Sequence, residues 1–585
     1  MSVEAALPVA DLEPGELWEV LWRPTLTSRW LGKVSLVPAE AGRRVLIGDE
    51  AGPWRRGVLI ERRWGKYVEF NLGPDVAWHG VGGVDVVRIE VAKGLPKGSV
   101  LRIVESGPHA DSHVSEIEGY WAAALGRLRR VLRRVADRRD SPRQAVVVIH
   151  GIGGQEPGQT LRALVASGVI AEADAESWVM PDTLSGSFEL RRATFKATQG
   201  RVRPTTDVYE LYWAHLISDT TLAQVSDWVR RLLLPNRLVP ARLRPAWITV
   251  YVVVVVVVAT ILGHVSGVWQ LPGWLAAGGV AVAVTAVLWK AMGRGLVIDV
   301  LGDAARYLSP RPDNVARRQA IREAGVELLE RMHEQGRYDR IVVLGHSLGS
   351  VIAYDVLTYL WIRRYADHLR PLRSDFKPLA AVEVGIGKAL DAEQAQELQH
   401  TAWKQIRRNT QSWLVTDLVT VGSPLTYASF LMGNSEQEFT SAQVDRVLPT
   451  CPPRTSDVGG KQRCTFSRPY ETGDPTKDPR TFVVFDHGAP FSVTRWTNLY
   501  FETRWGGLTG DIVGGPVAPQ FGPWVRDVAM PSPVRTFAHT HYWRPGRSSA
   551  HLEDLASALD MNSGQGLLGL ANGIPAFVIA EQGDS

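Results

Sequence analysis

Apolar runs that alternate with helical patterns dominate the chain from residue 144 to residue 501. The strand candidates are QAVVVIH (144–150), DVYELYWA (207–214), RIVVLG (340–345), TDLVTVG (416–422) and RWTNLYF (495–501). Several are nearly continuous apolar runs, which is typical of parallel strands buried on both faces. A helix with Ile321, Leu328 and Met332 on one face is predicted before the third strand. The alternation predicts an α/β domain with a mostly parallel sheet and helices on both faces.

The first 110 residues have a different pattern. KYVEFNL (66–72), VDVVRIEV (84–91) and SVLRIV (99–104) are short runs rich in β-branched residues, separated by Gly and Pro turns. We expect a small β-rich domain over 1–110, either a barrel or a sandwich. A basic amphipathic helix is predicted within 111–143, and it could face anionic lipid or lie as a solvated surface helix. The α/β domain then covers 144–545, and 546–585 is a tail.

A long uncharged stretch interrupts the α/β pattern. Residues 246–268 contain no Asp, Glu, Lys or Arg, and 23 residues of helix span about 35 Å, enough to cross a bilayer core. A second apolar run follows a short turn, so a transmembrane helical hairpin is predicted over 246–292. Arg and Lys at its outer ends predict cytoplasmic soluble parts and a multi-pass protein with two spans. The alternative for Val252 to Val258 is a buried strand.

One motif carries chemistry. Residues 341–350 read IVVLGHSLGS, in which Gly345, Ser347 and Gly349 form G-x-S-x-G between an apolar strand and a helical pattern. Such a turn exposes the serine hydroxyl above the end of the sheet, next to the N–H groups of the helix. The pattern therefore predicts that Ser347 is a nucleophile and that the N–H of Leu348 stabilises an oxyanion. The alternative is a glycine-rich turn without chemistry.

A second glycine loop follows the first strand of this domain. Residues 146–155 read VVVIHGIGGQ, and a loop at this place can donate the other N–H of an oxyanion hole. Ile152 is the preferred donor, with Gly151 or Gly153 as alternatives. We expect His150 to orient its neighbours and not to act as a base.

Three motifs together resemble a known family. HGIGGQ, GHSLGSVIAYD and TVGSPL are similar to those of α/β-hydrolase fold serine lipases and esterases, nearest the bacterial relatives of the inositol-deacylase and serine-active-site lipase groups. The resemblance covers about 145–160, 205–216, 338–358, 415–425 and 495–545. It implies an α/β-hydrolase core and the chain order serine, acid, histidine.

The resemblance also implies positions for the acid and the base. Asp511 lies in a Gly-rich loop with a D-x-V-G-G-like pattern after RWTNLYF, and Glu502 and Asp527 are the alternative acids. Asp417 is disfavoured because it begins a strand. His539 fits an H-x-x-Y-W pattern and is the preferred base. His541 is the alternative base, and His487 is a distant third.

The composition of the chain excludes several classes of protein. The chain has 585 residues, 45% hydrophobic, with a net charge of +4 and two cysteines. These values exclude a disordered chain and a disulfide scaffold, and they indicate neither nucleic-acid binding nor a metal site. We expect a membrane-anchored serine hydrolase that cleaves a lipid acyl ester without a cofactor, with the bilayer and a lipid as partners. The alternatives are an acyltransferase, a thioesterase or a non-catalytic membrane scaffold.

Overall fold

The structure of the protein is a computed structural model. The structure describes residues 2–9, 14–22, 27, 30–31, 33–39, 42–48, 55–63, 66–74, 85–94, 98–140, 143–151, 156–170, 177–185, 189–196, 204–216, 244, 248, 259, 262, 307, 312–335, 337–368, 377–388, 390–409, 413–433, 435–469, 481–503, 510–545 and 549–561. These residues form a seven-stranded sheet near the N-terminus and an eight-stranded sheet that carries the candidate site.

The N-terminal elements form an antiparallel sheet with helices packed against it. They are β1 (Ser2–Val9), α1 (Pro14–Trp22), β2 (Lys33–Ala39), β3 (Gly42–Gly48), β4 (Arg55–Arg63), β5 (Tyr67–Pro74), β6 (Asp85–Lys93), β7 (Ser99–Ser106), α2 (Pro108–Ser112) and α3 (Val114–Asp140). The strand order is β1-β7-β6-β5-β4-β3-β2. Because β1 and β2 lie at opposite edges of this order, the described strands form one open sheet and not the predicted barrel or sandwich.

The basic helix predicted within 111–143 is α3, and its apolar stripe is buried against this sheet. Trp121, Leu125 and Leu128 join the same hydrophobic cluster as the inward residues of β6. The indole N–H of Trp121 donates to Glu105 on β7 at 2.6 Å. The apolar face of α3 is therefore occupied within the N-terminal unit.

The second part of the chain contains the larger sheet. Its elements are β8 (Arg143–Ile149), α4 (Gln159–Ala166), β9 (Ser177–Pro181), β10 (Arg191–Phe195), β11 (Thr205–Leu211), α5 (Pro312–Glu334), β12 (Arg340–His346), α6 (Leu348–His368), α7 (Lys377–Ile386), α8 (Ala392–Asn409), β13 (Val415–Val421), α9 (Ala428–Met432), α10 (Glu436–Val444), β14 (Ser456–Val458), β15 (Lys461–Arg463), β16 (Thr465–Pro469), β17 (Thr481–Phe485), β18 (Arg495–Phe501), α11 (Ala518–Phe521), β19 (Arg526–Met530) and α12 (Ala550–Ala558). Short 3-10 turns lie at 214–216, 424–427 and 490–492.

The larger sheet is mixed. Its order is β19-β18-β13-β12-β8-β11-β10-β9; the first six strands of that order pair in parallel, whereas β10 and β9 are antiparallel to their neighbours. The predicted α/β-hydrolase core is therefore only partly consistent with the structure. The sequence pattern did not predict the antiparallel strands β9 and β10, and it did not predict the parallel edge strand β19.

Alternate residues of β8 divide the core between the two faces of the sheet. Ala145 and Val147 pack in the cluster that contains residues of α5, α6 and α8. Val146 and Val148 pack in a separate cluster with residues of α4 and α12. Helix α12 lies beyond residue 545, so part of the predicted tail belongs to this domain; residues 562–585 lie outside the described residues.

The predicted membrane hairpin is wrong. Among the described residues, no helix combines the length and the apolar character that a bilayer crossing requires. Within 246–292 only Ile248, Ala259 and Leu262 are described, and the rest of that prediction lies outside the described residues. The expectation used uncharged length as its criterion, and a β-branched run such as Val252 to Val258 meets that criterion without specifying a helix. The predicted localisation as a membrane protein with two spans is wrong for the same reason.

Candidate active site

Ser347 occupies the sharp turn between β12 and α6. Its φ of 53° lies in the left-handed region, which is uncommon for a residue with a side chain. The flanking glycines allow this turn: a Cβ at Gly345 would lie 2.6 Å from the carbonyl oxygen of Gly349, and one at Gly349 would overlap the carbonyl oxygen of Ile149. The G-x-S-x-G motif is therefore a steric requirement of the turn.

Three predicted site residues meet at this turn. The Nε2 atom of His539 lies 2.9 Å from the Oγ atom of Ser347, and its Nδ1 atom lies 3.0 Å from both carboxylate oxygens of Asp511. An ionised carboxylate only accepts hydrogen bonds, so Nδ1 carries the proton and the neutral ring leaves Nε2 free to accept from the serine. All three side chains are at most 1% exposed.

The acid and the base come from two loops that are joined through their backbones. Gly510 forms an isolated parallel bridge with Phe537. The amide of Gly510 donates to the carbonyl of Thr536 at 3.2 Å, and the amide of Ala538 donates to the carbonyl of Gly510 at 2.8 Å. These bonds hold the residue before Asp511 against the residues before His539, so the acid and the base are placed as one unit.

The environment of Asp511 keeps it ionised. Burial alone would raise the pKa of this carboxyl, but the adjacent His539 and the hydrogen bonds from His539, Tyr542 and the Gly514 amide outweigh burial and lower the pKa to about 2. The hydroxyl of Tyr542 donates to Oδ2 at 2.7 Å, and the amide of Val513 donates to Oδ1 at 2.9 Å. A carboxylate with these donors is charged at neutral pH.

Of the predicted oxyanion donors, Leu348 and Gly151 are described. Leu348 is the first residue of α6, where backbone N–H groups lack acceptors within the helix and the helix dipole favours negative charge. A Cβ built on Gly151 would lie 2.8 Å from the Cβ of Ser347, so this glycine directly neighbours the nucleophile. The preferred loop donor, Ile152, and its alternative Gly153 lie outside the described residues.

His150 directly follows β8, and its side chain orients the backbone there. Its Nδ1–H donates to the carbonyl of Gly151 at 2.7 Å, and its Nε2 accepts from the amide of Trp213 at 3.1 Å. The rings of His150 and Trp213 stack with centroids 4.8 Å apart. Burial lowers the pKa of His150 to about 4. Both ring nitrogens are thus engaged in a neutral ring that orients the backbone.

The alternative acids lie elsewhere. Glu502 is exposed. Asp527 accepts from Asn498 at 2.7 Å and from two backbone amides at the start of α11. Asp417 forms an ion pair with Arg495 at 2.7 Å. The structure thus places none of these three carboxylates in the Asp511 position beside His539.

The alternative bases are also separate from Ser347. His541 is half-buried, and burial lowers its pKa; its Nδ1 lies 3.4 Å from the hydroxyl of Thr540. His487 is more than half exposed and lies 3.4 Å from Asp486. Of the histidines considered from the sequence, the structure brings His539 to the nucleophile.

Two further residues of the site were missed from the sequence. Tyr542 is the donor to Asp511 described above, and His346 donates from Nε2 to the backbone carbonyl of His539 at 3.0 Å. Burial lowers the pKa of His346 to about 3, so its ring is neutral. The signal for both was present, since His346 directly precedes the nucleophile and Tyr542 is the tyrosine of the H-x-x-Y-W pattern.

Across the part of the chain that the structure describes, no group of three His, Cys, Asp or Glu side chains is arranged to hold a metal ion. The buried thiols of Cys451 and Cys464 are free, and burial raises the pKa of each.

Comparisons with known proteins give no family for this chain. No family model matches the sequence, and no curated protein matches it. Solved structures with partial similarity include the protein MLL2253 from Mesorhizobium loti, with 22% identity, a TM-score of 0.20 and coverage of 23% of this chain and 98% of that chain. They also include the Aha1 dimer from Colwellia psychrerythraea, with 13% identity, a TM-score of 0.18 and coverage of 22% and 92% respectively. Similarities at these TM-scores support no conclusion about fold or activity.

Proposed function

We propose that this chain is a serine hydrolase that cleaves carboxylic esters through an acyl-enzyme. The observation that carries the proposal is the continuous hydrogen-bonded series from Ser347 to His539 to Asp511, with distances of 2.9 Å and 3.0 Å. Nucleophile, base and orienting acid within hydrogen-bond reach are the geometric signature of nucleophilic catalysis. The positive φ of the serine and its place at a helix N-terminus add to that signature.

The first half of the reaction follows from the positions of these groups. Nε2 of His539 accepts the proton of Ser347 as Oγ bonds to the carbonyl carbon of the ester. The carbonyl oxygen becomes an oxyanion, which the N–H of Leu348 at the start of α6 stabilises. His539 then gives the proton to the departing alcohol oxygen as the C–O bond breaks, which leaves an acyl group on Ser347.

The second half repeats these roles with water. His539 takes a proton from water, whose oxygen attacks the acyl carbon, and it returns the proton to Ser347 as the carboxylic acid leaves. Asp511 remains ionised through both halves because its pKa is about 2. Its negative charge stabilises the imidazolium that forms in each half.

The expected lipid substrate depends on the membrane hairpin, which the described residues do not support. The site geometry supports cleavage of a carboxylic ester bond, whichever acyl chain and alcohol that bond joins.

The test is covalent labelling of the full-length protein with a fluorophosphonate probe. We expect one label on Ser347, located by peptide mass mapping, and hydrolysis of p-nitrophenyl esters that Ser347→Ala abolishes. Ser492→Ala is the matched control, because Ser492 is also buried and its hydroxyl donates to the carbonyl of Ala489 at 2.7 Å, away from the site. An unlabelled Ser347 in folded protein, or full ester hydrolysis by Ser347→Ala, would refute the proposal.

A further inference from the structure

The Tyr542 side chain lies directly behind the acid. It is 1% exposed, and its hydroxyl donates to Oδ2 of Asp511 at 2.7 Å. The hydroxyl oxygen of Tyr542 accepts from the backbone amide of Phe501 at 3.3 Å. The tyrosine ring stacks on the ring of Phe501 with centroids 4.3 Å apart and planes 14° apart. The hydroxyl is thus fixed by the last residue of β18.

Three side chains converge on one point at the end of β13, those of Tyr542, Asp511 and His539. A Cβ built on Gly422 would lie 2.7 Å from Cε2 of Tyr542, 3.0 Å from Oδ2 of Asp511 and 3.2 Å from Cε1 of His539. The three side chains therefore enclose the same small space, and no side chain at position 422 fits there. Movement of the tyrosine would change the position of the carboxylate.

We propose that Tyr542 is a positioning residue for the ester hydrolysis inferred above, acting through Asp511 on His539. This inference rests on the proposed function. Both oxygens of Asp511 must face Nδ1 of His539 to hold one tautomer of the ring, and rotation of the carboxylate would break that arrangement. The Val513 amide donates to Oδ1 and the Tyr542 hydroxyl donates to Oδ2, and the Gly514 amide is a further donor to this carboxylate. Loss of the tyrosine donor weakens the restraint on the orientation of the carboxylate.

The Tyr542 hydroxyl also affects the negative charge that Asp511 presents to His539. Its hydrogen points at Asp511, so the positive end of the O–H dipole partly offsets the carboxylate charge that favours the imidazolium of His539. The titratable groups that face His539 among the described residues are Asp511, Tyr542 and His346, and burial keeps His346 neutral. Removal of the hydroxyl therefore favours the imidazolium and moves the acid limb of the kcat/KM profile to higher pH.

The experiment compares Tyr542→Phe with Tyr354→Phe in the full-length protein. Tyr354 is equally buried, and its hydroxyl donates to the carbonyl of Pro449 at 2.8 Å, so both variants lose one buried hydroxyl. Rates are expressed per Ser347 labelled by the fluorophosphonate, which corrects for unfolded protein. For Tyr542→Phe we expect kcat to fall about tenfold, the cost of one hydrogen bond to a charged group, with KM unchanged and the acid limb at higher pH. For Tyr354→Phe we expect neither change.

The outcomes separate this inference from the proposed function. If the wild-type Ser347 is labelled but Tyr542→Phe matches Tyr354→Phe in both kcat and the acid limb, the positioning role is wrong and the hydrolase proposal stands. A fall in kcat with no movement of the limb would indicate packing alone and would also overturn the positioning role. If the wild-type Ser347 is not labelled, both proposals fail together.

Discussion

Replacement of Asp511 by Asn tests the proposed roles in the site most directly. The amide of Val513 can only donate to the Oδ1 position, so in Asp511→Asn the amide oxygen takes that position and the NH2 group lies where Oδ2 was, 3.0 Å from Nδ1 of His539. An NH2 group only donates, and it therefore favours the tautomer in which Nδ1 accepts. The proton moves to Nε2, 2.9 Å from Ser347 Oγ, and the ring can no longer accept the serine proton.

The expected loss follows from this tautomer change. In Ser-His-Asp triads, a histidine held in the wrong tautomer lowers kcat by about 10⁴, which corresponds to about 5 kcal/mol of transition-state stabilisation. The assay is hydrolysis of a p-nitrophenyl ester under saturating substrate, with the folded fraction measured by circular dichroism because the variant is expected to label slowly.

The matched control is Asp527→Asn. Asp527 accepts from the Asn498 side chain and from backbone amides, and it is a carboxylate without a role in the proposed chemistry. We expect Asp527→Asn to lower stability and to retain kcat per folded molecule. If folded Asp511→Asn kept more than about one hundredth of the wild-type kcat, the assignment of the orienting acid would be refuted.

Two further predictions concern stability. The lowered pKa of Asp511 stabilises the fold above the unfolded-state pKa of about 4, and that contribution is lost as pH falls through about 2; wild type should therefore lose about 2 kcal/mol relative to Asp511→Asn between these pH values, measured by urea unfolding. An equal pH slope for the two proteins would contradict the assigned pKa. Gly349→Ala places a Cβ against the carbonyl of Ile149, and we expect the free energy of unfolding to fall by about 2–4 kcal/mol. Gly119→Ala, in α3 with nothing within 4 Å of the new Cβ, should instead raise it by about 0.5–1 kcal/mol, and the same sign for both variants would argue against the turn geometry.

The strands that lie inside the large sheet were readable from the sequence. RWTNLYF coincides with β18, and RIVVLG covers all but the last residue of β12. These strands are buried on both faces, so their sequences have few polar interruptions. Strand β9 reads SWVMP and strand β19 reads RDVAM, so each offers only a short apolar run and no clear alternation. The edges of the sheet were therefore missed.

The residues of the candidate site could be predicted from the sequence to different degrees. Ser347 could be proposed because the turn itself requires glycines at 345 and 349, a local steric constraint that is written in the sequence. Asp511 and His539 follow from patterns that the family resemblance implies, and no steric requirement of the local chain points to them. The H-x-x-Y-W pattern includes Tyr542, but the role of this tyrosine depends on its contact with a carboxylate 31 residues earlier, and the pattern does not specify that partner. The membrane hairpin was predicted wrongly because a long uncharged stretch does not by itself determine that a segment crosses a bilayer.

The wide separation of nucleophile and base along the chain has a consequence for biosynthesis. His539 follows Ser347 by 192 residues, and helix α12, which contributes to the core beneath the sheet, ends later still, at Ala558. A ribosome therefore releases the reactive hydroxyl long before its proton acceptor. On the proposed function, nascent chains that stall before residue 539 would carry an inert serine, so newly made protein becomes reactive only once translation of the domain that carries the candidate site is almost finished.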